Sequence, residues 1–285
     1  MHLEREEYVE QAHFFRTLRE RMRQNMATQD LLAALREEVL ATTKLPLALD
    51  FLLGELKLTG VFAPAMAKLS HYFTPFQTYI VSEAEDDRGR FDFFIGLEIL
   101  EKEAQYRAGE FSRQGVFLFH FEALCRNRLR YDRGLAAVAD DPVYDEAWRE
   151  WILTVRRQIG VVDFADLIYV RSEHYAGQAA ARGTPTEAPV LFGVQEGKIA
   201  LANRHKDPLL LFAALQRQLN YPAVPRPRPV DDSRLILPQL VRRMERMESR
   251  LKLLEEEQRG GIDLARFFGP PKSPSDGPDT DAETT

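Results

Sequence analysis

Apolar positions recur along most of this chain at intervals of three and four residues, the signature of amphipathic helices. Residues 3–25 place Tyr8, Ala12, Phe15, Leu18 and Met22 on one face, and Thr28 opens a second helix carrying Leu31, Leu32, Leu35 and Val39. A third begins at Pro46 and is apolar almost all round (Leu47, Leu49, Phe51, Leu52, Leu53, Leu56), so complete burial is expected, with Gly60 closing it. Thr74-Pro75-Phe76-Gln77 has the form of a capping box, with Gln77 placed to reach back to the first residue. That helix either runs on to Tyr106 or breaks near Asp87-Arg88-Gly89. Residues 116–131 are expected to be helical again, although Val116-Phe117-Leu118-Phe119 alone also fits a strand. Residues 1–135 therefore suggest an all-helical body.

The densest stretch of large apolar residues is 140–175, which holds both tryptophans. Asp141-Pro142 resembles a helix start, and Tyr144, Trp148, Trp151, Ile152, Val155 and Ile159 then form one wide apolar face up to Gly160. Aromatic side chains of this size each remove roughly 150–250 Å² from water, so a core helix is expected. From Leu167 the pattern suggests a strand, with a helix capped by Asp163 as the alternative. Residues 190–195 and 198–202 flank Glu196-Gly197 as a hairpin would, and Asp207-Pro208 opens a helix over residues 209–219. The expected fold is thus mainly α with a small α+β module. A helical N-terminal body would be followed, over 136–221, by a two- or three-stranded antiparallel sheet with its helices.

Residues 222–233 are a proline-rich linker, beginning in Tyr221-Pro222-Ala223-Val224-Pro225-Arg226-Pro227. Beyond it, Leu237, Leu240, Met244, Met247, Leu251 and Leu254 alternate at three and four, the a/d seam of a coiled coil over residues 234–259, with an amphipathic helix folded back on its own domain as the alternative. Arg243 and Arg250 fall at g and Glu248 and Glu255 at the following e positions, so a parallel in-register dimer would pair opposite charges. Ile262, Leu264, Phe267 and Phe268 form a short apolar motif in the tail, either tucked against the core or suited to docking on another protein. Residues from about 270 have the composition of a disordered segment.

Composition narrows the function. A net charge of −6 over 285 residues opposes nucleic-acid binding, which needs a basic face to neutralise phosphates. The single cysteine, Cys125, permits no internal disulfide and fits a reducing compartment. No apolar leader and no run of about 18 apolar residues is visible, so no membrane role and a cytoplasmic location are expected.

Specific catalytic motifs are missing. Glu10 and His13 make one Glu-x-x-His, but di-iron bundles need a second and the sequence has none, so no metal and no cofactor are expected. His120 and Cys125 lie on different helix faces and do not form a nucleophile–base pair. Arg126, Arg130 and Arg133, with Arg128 beside them, suit bidentate anion contacts or else ion pairs with Asp132, Asp140, Asp141 or Glu146. Arg171, Glu173 and His174 at a strand end are further candidates to line a pocket. The leading expectation is a non-enzymatic scaffold that self-associates through its C-terminal helix. The alternative is an enzyme or small-anion-binding protein, with a pocket between body and module lined by Arg126, Arg130, Arg171, Glu173 and His174.

Overall fold

The computed structural model of the chain describes residues 3–24, 26–86, 89 and 91–227, and beyond them only positions 244, 247, 248 and 251. Met1–Pro227 form one compact unit and Arg228–Thr285 a second.

The first unit begins with α1 (Arg5–Met22), α2 (Thr28–Glu38), α3 (Leu45–Thr59) and α4 (Ala63–Lys68). Its middle is α5 (Pro75–Glu85), α6 (Phe93–Ala108) and α7 (Arg113–Arg126). It is completed by α8 (Tyr131–Ala139), α9 (Glu146–Gln158), α10 (Phe164–Tyr169), α11 (Glu173–Ala181), α12 (Val194–Ala202) and α13 (Pro208–Leu219). The chain breaks after Glu85 rather than running on, and Asp92 restarts it by accepting the Phe94 and Ile95 amides. The capping box at Thr74 forms as expected, with Gln77 N–H on Thr74 Oγ1 at 3.2 Å and Thr74 N–H on Gln77 Oε1 at 3.1 Å.

α7 is the axis of this unit, buried at every residue from Gly115 to Leu124, with α6, α8 and α13 packed on it. An apolar run that is covered on all sides shows no stripe, which is why its first residues also fit a strand. Phe117 and Phe121 of α7 stack at 5.9 Å, and around them close Trp151 at 4.8 Å from Phe117, Phe164 at 4.3 Å from Phe121, and Phe212. The two tryptophans are indeed core, on the buried face of α9, but this helix starts four residues later than its Asp-Pro signal. Asp145 is the N-cap, accepting the Trp148 amide, while Asp141 caps a preceding turn through the Val143 amide.

No strand is found among the described residues, which corrects the expected sheet. Two isolated bridges are the only β pairings among them, Ile159 with Val162 and Ser172 with Phe192. The Leu167 segment is α10, begun by Asp163 accepting the Ala165 amide. Four or five apolar residues lack the length to choose a period, and a good cap decided it. The supposed hairpin is α12, in which Glu196-Gly197 sits inside the helix. A Cβ on Gly197 would lie 2.3 Å from Ser172 Oγ and 2.9 Å from His174 Cβ, so this glycine allows α11 and α12 to approach closely; it makes no turn. α8 runs across the expected boundary at 135, and the packing of α9 on α7 makes residues 136–221 continuous with the helices before them. The complete burial expected of α3 also fails. Leu45, Leu49, Leu52 and Leu56 form a buried stripe while Leu47 and Leu58 are 74% and 83% exposed. Apolar residues outside a stripe are tolerated at the surface, and composition alone overstates burial.

In the second unit positions 244, 247, 248 and 251 are helical, and Met244, Met247 and Leu251 are 56%, 54% and 59% exposed. Leu237, Leu240, Leu254, Arg243, Arg250, Glu255, the linker beyond Pro227 and the tail motif at Ile262, Leu264, Phe267 and Phe268 lie outside the described residues. Among the described residues, no helix is long and apolar enough to cross a membrane.

Candidate functional site

The site is built on the C-terminus of α7. Leu129 N–H bonds Leu124 C=O at 3.0 Å and Arg128 N–H bonds Cys125 C=O at 3.3 Å. This is the paired pattern of a Schellman motif, in which the residue past the cap turns left-handed. Here that residue is Arg128, with φ of +53°. Glycine usually takes the position, because a Cβ in this region costs about 1 kcal/mol. Leu129 is buried and anchors the turn, which leaves the Arg128 side chain exposed. α8 begins two residues later, with Arg130 as an N-cap that makes no side-chain cap bond.

Beside this turn lies a cleft of about 950 Å³. Glu83 lines it from α5, Asp86, Gly89 and Phe91 from the α5–α6 connection, Arg126 to Arg130 from the end of α7 and the turn after it, and Arg226 and Pro227 from the end of the unit. That last segment is tied down nearby. Asn127 Nδ2 donates to Pro225 C=O at 3.0 Å, and Tyr221 O–H donates to Glu122 at 2.8 Å.

The cations of the cleft divide into two groups. Arg126 is held by Glu122 and Arg130 by Glu83 at 2.9 Å and Asp86 at 2.5 Å, while Arg133, which does not line the cleft, reaches Glu83 at 3.6 Å. Arg128 and Arg226 have no ion-pair partner among the described residues. The ion pairs expected for this cluster from sequence go elsewhere: Asp132 to Arg156, Asp140 to Arg149 and Asp141 to Arg107.

Of the five pocket candidates read from sequence, Arg126 and Arg130 share this cleft and the other three do not line it. Arg171 donates to Pro189 C=O at 3.4 Å, Glu173 is an exposed first residue of α11, and His174 lies 3.1 Å from the Gln178 amide. Sequence reasoning missed Glu83, Asp86, Phe91 and Arg226, which come from three separate segments and share no local pattern.

A second charged cluster lies in the core. Glu103 and Arg107 of α6, His120 of α7 and Asp141 after α8 are all buried. Arg107 Nη2 contacts Glu103 at 3.0 Å and Asp141 at 2.5 Å, and His120 Nε2 is 2.8 Å from Glu103 Oε1. Burial pushes the Glu103 carboxyl up, but Arg107 and His120 outweigh it and hold it at about 2. Ligand atoms of Glu103, His120 and Asp141 lie within 4.8 Å of one another, a spacing that suits a metal ion. The Arg107 guanidinium contacts both carboxylates there, however, and it already supplies the cation they require. Phe76 stacks on the His120 ring with centroids 3.7 Å apart, closing that side. This network is a tie between helices. Its sequence signal was His120 inside an otherwise apolar run, since a polar group there must be paired.

The remaining sequence candidates are engaged in the fold. Glu10 accepts the Leu40 amide at 2.9 Å while His13 Nδ1 sits 3.4 Å from Arg16. Burial pushes the Cys125 thiol up to about 11, which keeps it protonated and a poor nucleophile.

None of the protein-family models, curated proteins or solved structures compared with this chain matches it.

Proposed function

We propose that this chain is a binding protein that takes an anionic ligand in the arginine-lined cleft. The observation that carries this reading is that Arg128 and Arg226, which have no carboxylate partners among the described residues, line one cavity of ligand size. The chain has 44 acidic residues against 38 basic ones, so two arginines that line one cavity without ion-pair partners among the described residues run against its overall charge. The lining also supports binding over turnover. Its described residues include no histidine, cysteine, serine or threonine, and its two carboxylates are held by Arg130. Titration calorimetry of the full chain with inorganic phosphate and with citrate tests the reading. Saturable binding that weakens with salt and is lost in the Arg128→Glu/Arg226→Glu double variant is the expected result; binding that the double variant retains, or no binding of any anion, overturns it.

A second reading is favoured by a separate observation. Met244, Met247 and Leu251 are helical, more than half exposed and spaced as one seam. With Arg243, Glu248, Arg250 and Glu255 at the flanking positions, that seam supports pairing with a second copy and a scaffold role for the assembled protein. Light scattering on the full chain and on a Met244→Glu/Leu251→Glu variant tests it: a dimer that becomes a monomer is expected, and two monomers end the reading.

A further inference from the structure

We infer that the ligand of the cleft is a phosphomonoester carried on a ring-bearing small molecule, and that Arg128 is the residue that selects it. This rests on the anion-binding reading and adds the class of ligand.

Charge sets the first requirement. Two guanidiniums without ion-pair partners among the described residues call for a ligand group near −2, and a phosphomonoester carries about −1.5 to −2 at pH 7. A lone carboxylate or a sulfate ester, at −1, leaves one arginine unmatched. Three terminal phosphate oxygens also accept the bidentate N–H pairs of two separate guanidiniums, which arginine's planar fork presents.

Size sets the second. A cavity of about 950 Å³ far exceeds one phosphate group and lies at the upper end of the range for small-molecule sites. Phe91 and Leu129 line the same cavity as the arginines, so part of it is apolar and one wall is aromatic. That combination suits a planar ring stacked beside a charged group.

The backbone at Arg128 is an independent third observation. Its left-handed position at the end of α7 favours glycine, and a long charged side chain there is held against the local preference. Strain retained at the rim of a cavity points to a role for that side chain. By contrast, Asn220, which is left-handed after α13, is a residue type that accepts the conformation readily.

The test is titration of the full chain with adenosine 5′-monophosphate, adenosine, inorganic phosphate, citrate and a phosphoserine peptide. The nucleotide should bind at least about tenfold more tightly than inorganic phosphate, and adenosine alone should not bind. Its affinity should fall about fourfold from pH 7.5 to pH 5.5, because the second phosphate ionisation lies near 6. The Arg128→Gly variant should melt at a higher temperature than the parent and bind the nucleotide at least about tenfold more weakly. Phosphate and citrate binding as tightly as the nucleotide, without that pH dependence, overturns the ligand class and leaves the anion-binding reading standing. A phosphopeptide that binds more tightly than the nucleotide overturns the small-molecule class. Absence of binding by every anion sinks both readings, and unchanged nucleotide affinity in Arg128→Gly removes Arg128 as the selecting residue.

Discussion

Arg107 and Arg128 carry the same charge under opposite rules. Arg107 is 3% exposed and sits against Glu103 and Asp141, whereas Arg128 is exposed, left-handed and without an ion-pair partner among the described residues. In the core, water cannot solvate the guanidinium, so the fold must bring two carboxylates to it from different segments. At the rim of the cleft, water solvates it, and nothing in folding requires a partner. The first arrangement closes a site; the second leaves one open. Of the two, only the open arrangement is free to engage something outside the protein.

The sharpest way to break this contrast is to remove each charge. Arg107→Met strands two buried carboxylates, and urea denaturation should show about 3–5 kcal/mol of lost stability, enough to unfold many domains outright. A loss below about 1 kcal/mol would mean that the core cluster is solvated after all.

Next in size is the acid response. The Glu103 carboxyl lies at about 2 in the folded chain against an ordinary 4.5, so its ionisation stabilises the fold fully above about pH 4.5. That contribution, about 3 kcal/mol, is lost as pH falls from 4.5 through 2. Thermal melts across this range should show a steep acid limb that flattens in Glu103→Gln.

Glu85 is the intermediate case. Half-buried and raised by burial, it accepts the Phe62 and Ala63 amides at 2.5 and 2.9 Å and so caps α4, which has no side-chain cap of its own at Phe62. Glu85→Ala should lower stability by about 1–2 kcal/mol in denaturant titrations. The smallest effects belong to the cleft. Arg128→Gly should gain about 1 kcal/mol, and Arg226→Ala should change stability by less than about 0.5 kcal/mol by the same measurement.

Much of the helical architecture is legible in residue spacing. Thr74-Pro75-Phe76-Gln77 forms its capping box, Asp207 caps α13 through the Leu209 amide, and Trp148, Trp151, Ile152 and Val155 make the buried face of α9. These signals are local: a cap and a stripe depend on residues within about one or two turns. The errors fall where local signals tie. Leu167-Ile168-Tyr169-Val170 fits either period, and Glu196-Gly197 resembles a turn until Gly197 is seen to admit Ser172 and His174. Asp141-Pro142 has the form of a helix start, yet the Asp141 side chain is taken by Arg107, 34 residues away.

The cleft is legible only in part. Arg126, Arg128 and Arg130 stand close together in sequence, so a cationic cluster is visible there. Which of them is neutralised is not, because Glu83 and Asp86 arrive from α5 and the connection after it, and Arg226 from beyond α13.

By itself the sequence determined most of the helices before residue 160, the caps at Thr74 and Asp207 and many of the faces the helices bury, because hydrogen bonding within a turn and the 3.6-residue period act over short stretches of chain. Tertiary structure alone decided which charges meet. A salt bridge is set by distance in space, and packing around α7 makes Arg107 a closed tie while leaving Arg128 open at the mouth of a cavity.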